Sequence, residues 1–407
     1  MAAKTITVKP AGQGGDYATL NAALAGWFAS YTDLTTDNGT GAPGILNVEI
    51  GGTWSAVDAT AVAIPAFTTS ATCYLNIYTV SPARHAGVYN TSAYILAKVN
   101  TTGLITHGAC NYVYIDGLQI YEATVSGVDR NLVNITTALT NGGNNVRYSN
   151  CILRGANGAS RQTGINVSGT YANVSIWNCI IYDIPALASC APVMCDAGTA
   201  SVIKIYSSTL IGGAWCIYVN SGTVTAKNVY GGGSLTEDFY RGGGSLAKYN
   251  CASEDQSADD TGTGETQSNC VAAAVLIDTD TFVNVTAGSQ DFHLAADGLS
   301  PLQAAGVDTS GDAAPMNFTT DVDGDTRDAT WDIGADAAVG AAEVDITAIQ
   351  AILTDTLDQP TPVVSGSAVD APNHIAATAS QLGPIIGILN ERDTVGAHVS
   401  PTVIMGW

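Results

Sequence analysis

Val146-Arg-Tyr-Ser-Asn-Cys-Ile-Leu153 and Val174-Ser-Ile-Trp-Asn-Cys-Ile-Ile181 are two copies of one local pattern: an alternating strand, a small polar pair, then a second apolar strand. The pattern recurs in Tyr112-Val-Tyr-Ile-Asp-Gly-Leu-Gln-Ile120, Ile203-Lys-Ile-Tyr-Ser-Ser-Thr-Leu-Ile211, Val224-Thr-Ala-Lys-Asn-Val-Tyr230 and Leu246-Ala-Lys-Tyr-Asn-Cys251. Period-two alternation bounded by Gly, Asn and Ser clusters is the mark of short strands. Aligning Asp116, Asn150, Asn178, Ser207, Asn228 and Asn250 gives separations of 34, 28, 29, 21 and 22 residues. A degenerate repeat of that length, with insertions between units, predicts a solenoid. One such strand pair cannot bury its apolar face, whereas stacked coils bury a continuous stripe of Val, Ile, Leu and Cys. The recurrent Asn, Asp or Ser falls where the chain bends, and these residues tolerate left-handed backbone and bond nearby backbone groups. Coils averaging about 25 residues over 45–285 predict roughly ten layers and a rod on the order of 50 Å long.

Composition agrees with a folded chain. Of 407 residues, 46 % are aliphatic, aromatic or Cys and 12 % are charged, which is too apolar for disorder. A net charge of −22 repels phosphate backbones and anionic headgroups, so the expected partners include neither nucleic acid nor membrane. It also disfavours polyanionic, pectin-like substrates unless a local basic groove or bound cations offset the field. The nine cysteines are widely spaced, and the close pair Cys190 and Cys195 lacks a zinc-ligand partner pair, so they read as buried thiols. No basic-then-apolar leader and no 18-residue apolar run is present, so neither a signal peptide nor a spanning helix is expected.

The opening, Thr5-Ile-Thr-Val-Lys-Pro-Ala-Gly-Gln-Gly-Gly-Asp-Tyr-Ala-Thr-Leu-Asn-Ala-Ala-Leu-Ala-Gly-Trp27, reads as a strand, a glycine turn and an amphipathic helix placed to cap the rod. Near the back lie Asp291-Phe-His-Leu-Ala-Ala-Asp-Gly-Leu-Ser-Pro-Leu-Gln-Ala-Ala-Gly-Val-Asp308 and Thr320-Asp-Val-Asp-Gly-Asp-Thr-Arg-Asp-Ala-Thr-Trp-Asp-Ile-Gly-Ala-Asp336. These segments resemble the pectin-lyase-like right-handed parallel β-helix superfamily, the back pair being similar to the closing stretch of bacterial and phage β-helix repeat proteins. The resemblance implies an all-β, right-handed parallel β-helix with an N-terminal capping helix and a small C-terminal extension. The expected segments are 1–40 for strand and cap, 41–338 for the β-helix and 339–407 for an extension. That extension carries one helix, with Ile346, Ile349, Leu353 and Leu357 on one face, before Gln359-Pro-Thr-Pro362.

The superfamily hosts many activities, so fold does not carry function. The polygalacturonase-type triplet is missing: Asp259-Asp260 and His107-Gly108 fall on non-corresponding coils. Asp116, Asp183, Arg147 and Arg154 lie near strand positions and read as scattered surface charge with turn-capping Asp, so no catalytic residue is assigned. Asp321-Val-Asp-Gly-Asp-Thr-Arg-Asp328 is the candidate Ca²⁺ loop, spanning Asp321 to Asp325 at its core. It departs from an EF-hand in its glycine position, in Asp332 at the twelfth position and in lacking flanking helices, so an ion there would be a staple. Tyr171, Trp177, Tyr182, Trp215, Tyr218, Tyr230 and Tyr240 could present rings to a glycan or stack on one another. Together these readings favour a non-enzymatic bacteriophage virion surface protein (tail spike, fibre or capsid decoration). It would be a homotrimer, made in the host cytoplasm, meeting other virion proteins through 339–407. The alternative is a polysaccharide-acting lyase or glycosidase, and a third reading is a bacterial adhesin.

Overall fold

In a computed structural model the chain is described over residues 2–338, apart from 99–102, 123–129, 137–144, 157–160, 171, 197–200 and 296–299. The extension 339–407 and its expected helix lie outside the described residues, as does Tyr171.

All but two of the described strands form three parallel sheets whose members recur at about every third strand along the chain, the arrangement of a right-handed parallel β-helix, while Phe282–Asn284 and Asp291–Leu294 pair antiparallel. The first sheet has ten strands, running from Ala2–Val8 and Gly44–Ile50 through Val113–Asp116, Val146–Ser149, Asn173–Trp177, Val202–Tyr206, Thr223–Lys227 and Ser245–Tyr249 to Glu265–Ser268. The second and third have seven strands each, among them Ile152–Arg154 and Ile180–Ile184 in the second, Gln162–Val167 and Trp215–Val219 in the third. Inward positions of the first sheet stack Val113, Val146, Val174, Ile203, Val224 and Leu246 in register. All six are buried, so one apolar column runs down the rod. The opening strand is itself the first layer of that sheet, pairing with Gly44–Ile50 over seven residues.

From Val113–Asp116 onward, the bend after each first-sheet strand is left-handed. Asn150, Asn178, Ser207, Asn228, Asn250 and Asn269 all have φ between 41° and 55°. Asp116 does not belong to this set: it pairs with Ser149, and the corner of its coil is Gly117, with φ 73°. A side chain at Gly117 would meet Arg84 and Thr79, so that layer uses glycine. The residue after the corner explains the Asn-Cys and Ser-Ser pairs. Cys151, Cys179, Ser208 and Cys251 each donate back to the carbonyl two residues earlier, at 3.1, 3.3, 2.9 and 3.4 Å, which closes the turn. Eight of the nine cysteines are buried, Cys270 is half-buried, and none is in a disulfide.

Both ends of the coil stack are capped. Helix Leu20–Phe28 buries Leu20, Ala23, Leu24 and Phe28, and the buried Asp58 accepts from Leu20 N and Tyr94 Oη. At the far end Lys248 occupies an inward position, aligned with Ala226, and is fully buried. Its ammonium donates to the carbonyls of Ser257 and Asp260 and to Glu265, so the polar loop 253–265 becomes a lid.

Beyond that lid the chain turns back instead of adding coils. Val275, Phe282, Phe292, Leu294, Leu302, Val322 and Ile333 form a second core against outward-facing Ile152, Ile180, Tyr182 and Tyr230 of the second sheet. Corner asparagines hold the returning chain: Asn178 donates to Thr320 O at 2.7 Å, Asn250 to Ala305 O at 3.2 Å, and Asn228 both donates to Val307 O and accepts from Val307 N. Each such bond is worth about 0.5–1.5 kcal/mol net. We therefore expect Asn228→Gly to lower the unfolding free energy by about 1–3 kcal/mol, and Asn228→Ala by about 1 kcal/mol more because its Cβ strains a left-handed corner. Urea unfolding of both variants checks this; equal losses would mean that backbone strain does not govern the corner.

Candidate functional site

The residues weighed from the sequence do not converge on one site. Asp116 pairs with Arg84 at 2.5 Å and accepts from Ser149 and Asn150. Arg154 pairs with Asp183 at 2.9 Å among the rings of Tyr89, Tyr121 and Tyr182, and Arg147 lies 4.0 Å over Tyr114. His107 is buried and bonds Tyr148 Oη at 2.6 Å; burial lowers its pKa to about 3, so it stays neutral inside the rod. Asp259-Asp260 belongs to the lid.

One cluster of perturbed carboxylates sits at that lid. Burial, then Glu265 and Asp255, push Glu237 up to about 7, while burial and Asp255 push Asp238 to about 6. Asp255 stays low through its bonds from Ser257. Beside it, half-exposed Trp215, Tyr218 and Tyr240 stack on one another with centroids 4.4–5.7 Å apart. The acid oxygens are already engaged, Asp238 by Cys216 and by the backbone N–H groups of Glu254 and Asp255. That is the bonding of a lid tied to the last coil, and the rings cover each other.

An open concavity lies instead on the outer face of the first sheet. The residue before each corner points outward, so Trp177, Tyr206, Lys227 and Tyr249 form one row in register. Lys204 lies two residues before Tyr206 on the same face. The returning chain supplies the wall: Val307 is fixed to Asn228, Asp312 reaches Lys227 at 2.6 Å, and Phe318 stacks on Trp177 with planes 16° apart. The result is a cavity of about 320 Å³ lined by Lys204, Tyr206, Lys227, Tyr249, Asp312 and Ala313. Asp312 also bonds the Tyr206 hydroxyl, and burial together with that carboxylate pushes the phenol up to about 12. Lys227 lies 5.2 Å from the Tyr206 ring. Lys204 makes no ion pair with a described residue. The cavity thus offers one uncommitted cation, one paired cation and the exposed ring of Tyr249, with the buried Tyr206 ring beneath Lys227.

The candidate Ca²⁺ loop is differently arranged. Asp321 accepts from the backbone N–H groups of Gly324, Asp325 and Ala337, so its oxygens close the turn, while Asp325 is exposed. Sequence reasoning missed Lys204, Lys227, Tyr249 and Asp312, and Tyr206 as well. The first three could have been found by taking the outward positions before each aligned corner.

No family model and no curated protein matches the chain. Among solved structures, it is similar to the pectin methylesterase from Aspergillus niger in deglycosylated form, at 13 % identity and a TM-score of 0.35 over 68 % of this chain and 92 % of that one. No described helix is long and apolar enough to cross a membrane.

The lid acids set a pH dependence. Glu237 titrates higher folded, about 7, than its ordinary 4.5, so its protonated form contributes stability that is full below about pH 4.5 and lost as pH rises through 7. Glu237→Gln is expected to flatten the fall in melting temperature between about pH 5 and 8 and to melt above the parent at pH 8. An unchanged pH slope would show that Glu237 is not held protonated by the lid.

Proposed function

We propose that this chain is a polysaccharide-directed β-helix protein that takes an acidic glycan against the outer face of its first sheet, at Lys204, Tyr206, Lys227 and Tyr249. The observation that carries the reading is the uncommitted Lys204 beside two tyrosine rings in an open cavity, on a chain of charge −22. Sugars bury their C–H faces on aromatic rings, and an ammonium takes a uronate carboxylate. The local positive charge that a negative chain needs before it can hold a polyanion is supplied by Lys204, Lys227 being paired with Asp312. A row of stacked layers repeating every 4.8 Å or so also suits an extended polymer more than a compact ligand.

Binding is better supported than cleavage. Glycosidases need two carboxylates about 5–10 Å apart across the bond, and Asp312 is the one carboxylate lining this cavity, engaged by Lys227 and Tyr206. A lyase needs a base that is free near neutral pH, and the Tyr206 phenol is pushed to about 12. The virion reading rests on 339–407, outside the described residues, and nothing among the described residues favours a virion component over a glycan-directed protein.

Calorimetry with uronate-containing and neutral polysaccharides tests the proposal. The acidic polymers are expected to bind and the neutral ones not. Lys204→Ala should weaken binding about tenfold, the loss of roughly 1.4 kcal/mol from one charged contact, and added salt should weaken it further. Equal binding of neutral polymers, or wild-type affinity in Lys204→Ala, would overturn it. Release of unsaturated or reducing ends from a bound polymer would make the protein a depolymerase instead.

A further inference from the structure

The two back segments meet at His293, on a part of the fold that the glycan cavity does not use. Nδ1 of His293 lies 2.6 Å from Asp291 Oδ1. Against the effect of burial, the carboxylates around the ring push its pKa up to about 10, so an ion would have to displace the Nε2 proton, after which Nδ1–H still donates to Asp291 and the Nε2 lone pair points to the other side. Nε2 faces Asp323 Oδ2 at 3.6 Å, beyond hydrogen-bond range. Nε2 and Asp323 Oδ1 are both buried atoms with no hydrogen-bond partner. Asp336, 4 % exposed, completes the group, its Oδ2 held at 2.7 Å by Leu294 N. One ligand atom from each of His293, Asp323 and Asp336 lies within 4.8 Å of the others.

Three features make this more than a patch of acid. A carboxylate behind a histidine, orienting it through the far nitrogen, is the usual support of a metal-binding imidazole. The backbone has closed on the ring: a Cβ at Gly87, φ 69°, would fall 2.2 Å from Nε2, so glycine is required there. The nearest guanidinium, Arg327, is spent elsewhere, donating to the carbonyls of Gly334, Ala335 and Asp336 and to Asn178 Oδ1. The Asp291, Asp323 and Asp336 carboxylates thus converge on one imidazole, with the Arg327 guanidinium nearby but making no hydrogen bond to any of their carboxylate oxygens.

We propose that His293, Asp323 and Asp336 bind one divalent transition-metal ion of the Zn²⁺ class, fastening the back segments to one another. One nitrogen and two carboxylate oxygens are three donors of a tetrahedral zinc site, water taking the fourth. Bonds of about 2.0–2.1 Å put tetrahedral ligands about 3.3 Å apart, so the group closes with side-chain shifts on the order of 1 Å. Ca²⁺ takes six to eight oxygens and does not suit an imidazole. The ion thus belongs to a His–Asp–Asp group that draws one carboxylate, Asp323, from the loop first considered for calcium.

The test uses the full chain, stripped with chelator and titrated with ZnCl₂ and CaCl₂ by calorimetry, with thermal melts alongside. One equivalent of Zn²⁺ should bind and raise the melting temperature, and Ca²⁺ should not compete. Asp291→Asn should weaken Zn²⁺ about 10- to 100-fold, His293→Gln and Asp323→Asn should lose stoichiometric binding, and Asp325→Asn, an exposed neighbour, should match the parent. Circular dichroism confirms folding, and the Asp323→Asn arm stands if His293→Gln does not fold. No stoichiometric Zn²⁺ on the parent chain, or parental affinity in folded Asp323→Asn, would overturn the assignment.

Discussion

The left-handed corner after each first-sheet strand from Val113–Asp116 onward is the constraint on which the rest depends. An L-residue in that conformation costs roughly 1–2 kcal/mol unless it is Gly or a small polar residue. The chain meets that cost at Asn150, Asn178, Ser207, Asn228, Asn250 and Asn269, and with Gly117 one layer earlier. Because every corner turns at the same height of the coil, the second sheet starts in register and the inward column stays apolar. The corner amides are then available. Asn178 donates to Asn150 along the stack at 3.1 Å and to Thr320 of the returning chain at 2.7 Å, so one residue type sets both the layer spacing and the path of the fold-back.

Burial and hydrogen bonding divide that work. The returning chain buries Val275, Phe282, Phe292, Leu294, Leu302, Val322 and Ile333, each worth about 1.5–3 kcal/mol when fully removed from water. Its bonds to the corners contribute about 0.5–1.5 kcal/mol apiece. Apolar burial therefore holds the segment down, and the asparagines decide where it lies. Their placement has functional consequences, since fixing Val307 to Asn228 sets the wall that carries Asp312 to Lys227. Without that wall the outward row Tyr206, Lys227, Tyr249 would be a flat sheet face with no cavity.

The coil pattern was legible in the sequence because its signal is local: alternation, a polar corner, a small residue after it. The one misaligned corner, Asp116 for Gly117, shows the limit of that signal, because Asp and Gly both suit a bend and only pairing with Ser149 decides. Lys248 takes a core position despite its charge, because the next layer is a lid whose carbonyls accept from its ammonium. The fold-back carries motifs visible in the sequence, but its path is not legible there, since contacts such as Asn178 with Arg327 span 149 residues and have no local trace. Separations of 43 and 85 residues likewise hide the meeting of His293 with Asp336 and of Asp312 with Lys227.

Cations are scarce on this chain, and where they are placed bears on what the cavity is for. Arg130 is buried against Glu122, Arg84 and Arg154 hold carboxylates, Arg147 covers a ring, Arg327 binds carbonyls and Lys248 closes the rod. Fourteen basic residues against 36 acidic ones leave few to spare, and most are consumed by structure. Lys204 is an exception: it stands in a cavity, makes no ion pair with a described residue, and has beside it a second lysine already neutralised by Asp312. At a Debye length of about 8 Å the surrounding negative field is felt only weakly inside such a site, so short-range contacts decide what binds there. On the proposed reading, a lone ammonium beside the Tyr249 ring suits a ligand that is anionic at one point and apolar on a face, as an acidic sugar is.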